Sequence, residues 1–194
     1  SKIGRLPAPT FVKGAFKGKK IEFLDADGYG GNIAQLQSSA LGSGHFNPVL
    51  DPDGVIRRVP MLVKFDGAIH GSLSLEIVRH LLGSDEIKPR FEKPLFGGRS
   101  YPGLEWLQVG EKLVPVDSHV QALVPYRGPK GSFPYVSATD VLHGVADKSI
   151  LKGATVLVGT TAPGLFDLRS TPVAEAYPGV EVHANLISGI MDGT

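Results

Sequence analysis

Two stretches hold residue types whose spacing could do chemistry. The first, Asp51-Pro-Asp-Gly-Val-Ile-Arg-Arg-Val-Pro60, sets two acids and two arginines around one tight turn. Asp53-Gly54 marks the turn, because glycine accepts the positive φ that such turns need. Val55, Arg57, Val59, Met61, Val63 and Phe65 share one parity, and that face is otherwise apolar. Arg57 is therefore expected on a buried face unless a bulge shifts the register. A buried guanidinium needs a carboxylate, and Asp51 and Asp53 are the nearest candidates.

The second stretch is Gly159-Thr-Thr-Ala-Pro-Gly164 with Asp167, followed by His183 in Pro178-Gly-Val-Glu-Val-His-Ala-Asn185. Small residues after a buried strand let a ligand approach the backbone closely. No lysine follows the second glycine where a phosphate loop requires one. A Gly/Pro turn that reverses the chain is the favoured general reading. Against it, the connection over 160–178 exceeds the ~12–15 residues usual for structureless loops, and such loops tend to be functional. His183 could be a proton-sensitive or ligand-contacting group, although a hydrogen-bonded packing histidine is the commoner case. The best pocket candidate is this rim, with Thr160, Thr161, Asp167 and His183 meeting a small polar ligand.

Other chemistries lack their residues. With no cysteine, disulfides, thiolate catalysis and Cys-ligated zinc are excluded. No two of the six histidines have the i, i+4 spacing of a helical metal site, and the Asp-x-Asp-Gly loops at Asp25 and Asp51 miss the calcium-loop pattern. No metal and no cofactor is therefore expected. A serine hydrolase would need a Gly-x-Ser-x-Gly elbow, which the chain lacks. A net charge of +1 gives no nucleic-acid footprint. No apolar run reaches the ~18 residues of a membrane span.

The elements that must position these residues follow from patterning. Of 194 residues 42% are apolar, enough for a sizeable core, while 25 glycines and 15 prolines imply many turns. A short strand is expected over 21–24, and a helix capped by Asn32 from Ile33 to about Leu41. The segments 45–50 and 55–65 are expected to form a hairpin around Asp53-Gly54. Ser72 caps a helix with Leu73, Ile77 and Leu81 on one stripe and Leu75, Val78 and Leu82 beside it, ended by Gly83. The segment 84–103 reads as a surface excursion. Strands at 106–109 and 113–116 flank Gly110-Glu111, and another spans 121–125. Ser137-Ala-Thr-Asp140 has capping-box spacing. The run 154–158 reads as a strand covered on both faces, and 180–191 as a helix. The fold class is α/β (α+β), a mixed β-sheet with antiparallel hairpins, a central buried strand and flanking helices.

An ordered series of segments then resembles a known family. Gly44-His-Phe-Asn-Pro, the Asp51–Pro60 stretch, and Ser72-Leu-Ser-Leu ahead of Arg79 and Gly83 look like the middle of a CHASE2 domain. Tyr126-Arg-Gly-Pro, Val136-Ser-Ala-Thr-Asp-Val-Leu142, Leu151-Lys-Gly-Ala-Thr-Val-Leu-Val-Gly159, Thr171-Pro172 and Pro178–Asn185 continue the likeness to the end. Residues 1–41 match only weakly, so 1–194 is expected to be a single CHASE2-like sensor domain with a divergent start.

The resemblance implies the extracytoplasmic, periplasmic sensor of a membrane-anchored bacterial receptor in the inner membrane, flanked by membrane helices. Its output would be an adenylate or guanylate cyclase before a histidine kinase or a cyclic-di-GMP enzyme. It implies a homodimer, and the signal is expected to be an unknown small polar ligand, as the polar rim suggests, or an extracytoplasmic protein. It carries no general ligand set. The Asp51-x-Asp53-Gly54-x-x-Arg57, Asp167 and His183-Ala-Asn185 positions match its recurring motifs, which could serve folding as well as sensing; Asp51, Asp53, Gly54, Arg57 and Asn185 are read as structural motif residues. Two other readings stand beside the sensor: a small α/β hydrolase using Asp167 and His183, and a structural dimerisation module.

Overall fold

The computed structural model of the chain describes residues 2–91, 103–161 and 167–194. The opening third carries little regular structure. β1 (Lys2–Ile3) has a parallel partner further on, β2 (Leu24–Asp25) is two residues long, and β3 (Tyr29–Gly30) is that partner of β1. α1 (Ala34–Ser39) starts one residue later than expected, with Ile33 rather than Asn32 at the cap position. Asn32 Oδ1 instead accepts the Ile33 N–H at 2.8 Å.

β4 (Arg58–Pro60), β5 (Leu62–Phe65) and β6 (Ala68–Gly71) follow the Asp51–Gly54 turn. The Asp-Gly hairpin lies at Asp66-Gly67, where β5 and β6 pair antiparallel. Both turn residues take positive φ, 48° and 79°, as a two-residue hairpin of this hand requires. The hairpin expected at Asp53-Gly54 does not form. That turn closes locally, Gly54 N–H donating to the Asp51 carbonyl at 2.8 Å, but 45–50 provides no strand beside 55–65. Pro48 and Pro52 bring no N–H to a ladder there. β4 instead pairs antiparallel with β10 (Gln121–Leu123). β2 adds to β5 in parallel, giving the three-stranded order β2-β5-β6.

α2 (Leu73–Leu81) is capped as expected, the Ser72 hydroxyl accepting from Leu75 N–H at 3.2 Å. Its buried row is Ser74, Leu75, Glu76 and Val78, while Leu81 is 45% exposed, so the core meets the second stripe more fully than the first, from which Ile77 packs at its edge. β7 (Ile87–Phe91), β8 (Leu104–Val109) and β9 (Lys112–Pro115) make an antiparallel meander. Part of the expected excursion is thus the strand β7, and residues 92–102 lie outside the described residues.

α3 (Ala138–Leu142) begins at the expected Ser137 cap, and α4 (Lys148–Leu151) follows Asp147, whose carboxylate caps it. The run 154–158 is not a buried central strand. It carries no strand, with Val156 55% and Val158 91% exposed; only Leu157 packs on the core. An apolar run becomes a central strand only when strands pair on both its sides, and among the described residues no strand pairs with this run. The supposed long loop over 160–178 also contains order: β11 (Leu168–Thr171) and β12 (Ala174–Pro178) form a hairpin.

α5 (Gly179–Asp192) closes the fold. Val182, Leu186, Ile187 and Ile190 make its buried stripe at helical spacing. It packs on α2, and a Cβ on Gly189 would overlap the Pro125 ring, so only glycine permits that approach. Gly193, at φ 80°, ends the helix in the left-handed region. The architecture is α+β: small mixed and antiparallel sheets around one cluster that includes Ile56, Met61, Leu75, Leu107, Tyr177 and Leu186.

Candidate functional site

The Asp51–Arg57 turn is an ion-pair anchor. Arg57 Nη1 donates to Asp51 Oδ2 at 2.9 Å and to Asp53 Oδ1 at 3.0 Å, and Nη2 donates to Asp53 Oδ2 at 2.8 Å. Both predicted carboxylates are therefore used, one of them as a planar fork. Hydrogen bonds from Arg57 and from Val55 N–H hold the Asp53 carboxyl below its usual range, and the bonds to Asp53 and then Asp51 raise Arg57. The network is not buried, however: the Arg57 side chain is 39% exposed. Ile56 takes the core position, tied by its N–H to the Ser170 carbonyl at 2.8 Å, and residues 55–57 precede the strand rather than belonging to it. Gly54 turns at φ 81°.

The head of α5 gathers the other predicted residues. Gly179 N–H donates to the Asp167 carbonyl at 2.9 Å, and the Asp167 carboxylate lies over Gly179 so closely that a Cβ there would sit 2.6 Å from both oxygens. Arg169 Nη2 reaches Asp167 Oδ1 at 3.1 Å. One turn into the helix, His183 Nδ1 and the Ser74 hydroxyl of α2 are hydrogen-bonded at 2.9 Å. Burial lowers the pKa of His183, opposed by the Asp167 charge and by a hydrogen bond to the Phe46 main chain. Asp167 and His183 are thus brought into one electrostatic neighbourhood. Gly159 packs against Val180 in the first turn of α5, which places Thr160 and Thr161 beside this head. Thr160 is exposed and Thr161 half-buried, and residues 162–166 lie outside the described residues.

Two histidines missed by the spacing test complete the neighbourhood. His45 bridges to Ser72, its N–H donating to the Gly71 carbonyl at 3.0 Å and its carbonyl accepting from Leu73 N–H at 2.7 Å. His70 lies on β6. Both ring nitrogens of His45 and Nε2 of His70 are buried with no hydrogen-bond partner. Burial, then repulsion from His183 and His70, pushes His45 down to about 4, and burial lowers His70. Among the described residues no group of three histidines or acids is placed to hold a metal ion. Sequence spacing does not show that the three distant segments carrying His45, His70 and His183 meet.

Asn185 is a complete hydrogen-bond node at 0% exposure. It donates to the Tyr177 hydroxyl at 2.8 Å and to the Glu181 carbonyl at 2.7 Å, and accepts from Arg127 N–H at 2.9 Å. Glu181, also buried, accepts from Tyr135 at 2.7 Å and from Gly131 N–H at 3.1 Å. Burial and the bond to Glu181 raise the Tyr135 pKa. Arg127 also pairs with Asp192 at the far end of α5. The turn after β10 is thereby fastened along the whole helix.

Ser74, His183 and Asp167 have the residue types of a nucleophilic triad. Their geometry does not serve one. Ser74 is 0% exposed, so its oxygen meets no substrate, and the carboxylate of Asp167 is engaged by Arg169. The arrangement can do something else: it couples α5 to α2 through a polar contact inside an apolar interface.

The family profile described as CHASE2 domain matches residues 10–194. The chain belongs to the CHASE2 family. CHASE2 domains are extracytoplasmic sensory modules, and the sensory role of this domain rests on that membership. No curated protein and no solved structure matches the chain. Among the described residues of this CHASE2 domain, no helix is long and apolar enough to cross a membrane.

Proposed function

We propose that residues 1–194 are one sensor domain, the periplasmic, non-catalytic input of a membrane-anchored protein of the inner membrane that regulates an intracellular adenylate or guanylate cyclase. The Ser74–His183 contact carries this reading, because it links the two long helices through a group whose hydrogen bonding responds to its surroundings. A small polar ligand, or an extracytoplasmic protein, meets Asp167 and His183 at the head of α5, with Thr160 and Thr161 at the rim. Binding favours one of two arrangements of α5 against α2, and a coupling of ~1–3 kcal/mol gives a graded output. The active form is a homodimer.

The test uses the full-length protein in membranes. His183→Ala and Asp167→Asn are expected to leave the domain folded and to fix cyclase output at one level whatever the signal. Output that still responds to the signal in both variants overturns the reading. Turnover of an ester or phosphoester by this chain, lost in His183→Ala, would establish the hydrolase instead.

A further inference from the structure

A cleft of about 790 Å³ lies on the other side of α2, away from His183 in sequence and built from separate elements. One wall is the strap 4–11, another is α1 with the turn at 41–43, and the floor is the later part of α2 with residues 85–87. Its volume falls in the ~300–1,000 Å³ range of small-molecule sites. The strap is fixed rather than loosely laid. Phe11 and Ile69 exchange backbone hydrogen bonds at 3.0 and 2.9 Å, and Gln37 Nε2 donates to the Arg5 carbonyl at 2.8 Å. Thr10 accepts from Gly71 N–H at 2.8 Å and donates to Glu76 at 3.1 Å.

The charges in this cleft are selectively paired. On the floor, Glu76 and Arg79 meet at 2.8 Å with side chains 11% and 22% exposed, and Arg79 Nη1 also donates to the Ser84 carbonyl. Glu86 meets Lys88 at 2.9 Å. Among the described residues, Arg5 and Asp85 line the same cleft and have no ion-pair partner. Leu6, Pro7, Pro9 and Ile87 supply apolar wall between the charged positions.

We infer that this cleft binds a small zwitterion, an amino acid or short peptide with both termini free. Its carboxylate meets Arg5 and its ammonium meets Asp85. Its side chain lies on the proline-rich strap. A polyanion such as a nucleotide would face Glu76, Asp85 and Glu86 together. A simple cation would leave Arg5 without its counter-charge. The net balance of the cleft, with one free group of each sign, favours a ligand that carries both. The site goes beyond the reading at the head of α5.

The probes are L-leucine and the dipeptide Leu-Leu, with N-acetyl-leucine and leucinamide as controls, measured on this chain by calorimetry and thermal shift. Leucine or Leu-Leu is expected to bind and raise the melting temperature, and each blocked form to bind about tenfold or more weakly. Asp85→Asn should remove the penalty for acetylation, and Arg5→Gln the penalty for amidation, with circular dichroism unchanged. The inference is overturned if neither zwitterion binds, if blocked and free forms bind equally, or if both variants bind like the parent. Binding is read directly, so its absence leaves the cyclase experiment on His183 independent.

Discussion

Ser74 on α2 and His183 on α5 share a hydrogen bond of 2.9 Å across the contact between the two longest helices of the described residues. Ser74 is wholly buried. Replacing it with alanine leaves a ring nitrogen of His183 without its partner, which costs about 1–3 kcal/mol. A fall in melting temperature of roughly 2–4 °C per kcal/mol is the expected result for a chain of this size, read by calorimetry. No fall would show that the contact is not made in solution.

Asn185→Ala should be more damaging. It strands Arg127 N–H and the Tyr177 hydroxyl inside the fold and releases the turn after β10. Two buried groups left unpaired predict a loss of about 2–5 kcal/mol. Urea unfolding measures it, and a loss equal to that of an exposed-site control would contradict the Asn185 node.

His45 sets a pH dependence. Its folded pKa lies at about 4 against 6.5 for the free group, so the unfolded chain binds more protons between these values. Stability is therefore complete above pH 6.5 and falls as pH drops towards 4, by up to about 3 kcal/mol. His70 and His183 face the same cluster and shift in the same direction, with Asp167 opposing at His183. His45→Leu keeps the volume, removes two unpartnered nitrogens and should flatten the profile between pH 7 and 5. An unchanged profile would place the titration elsewhere.

Asp167 raises the pKa of His183, against the larger lowering by burial. Asp167→Asn should therefore move the His183 titration further down, followed by the ring carbon shifts in NMR. Gly179→Ala should act in the same direction, since its methyl displaces the carboxylate. Upward movement in either variant would mean that Asp167 does not face the ring.

Much of the local structure was legible from short-range chemistry. The Ser72 and Ser137 caps, the Gly110-Glu111 hairpin, the final helix and the pairing of Arg57 with Asp51 and Asp53 each depend on residues within a few positions of one another. The misreadings share a cause. Asp53-Gly54 and Asp66-Gly67 are both turn dipeptides, and only the presence of a strand on each side of the second makes it a hairpin. The run 154–158 has strand composition, but composition does not supply a neighbouring edge to pair with.

The candidate site was legible in part. Asp167 and His183 could be named from the sequence, and so could Thr160 and Thr161, but Ser74, His45 and His70 could not be assigned to them. They are brought in by Ser72-capped α2, a single bridge and β6, separated from α5 by over a hundred residues.

The order of motifs in this sequence determines the CHASE2 family and most helix ends, because caps and turns are decided by the chain's nearest neighbours. Which apolar runs are buried, which histidines lose their hydrogen-bond partners and which charges face the cleft were decided by tertiary structure alone. Those properties depend on the separation in space of residues far apart in the chain, and no local pattern carries that distance.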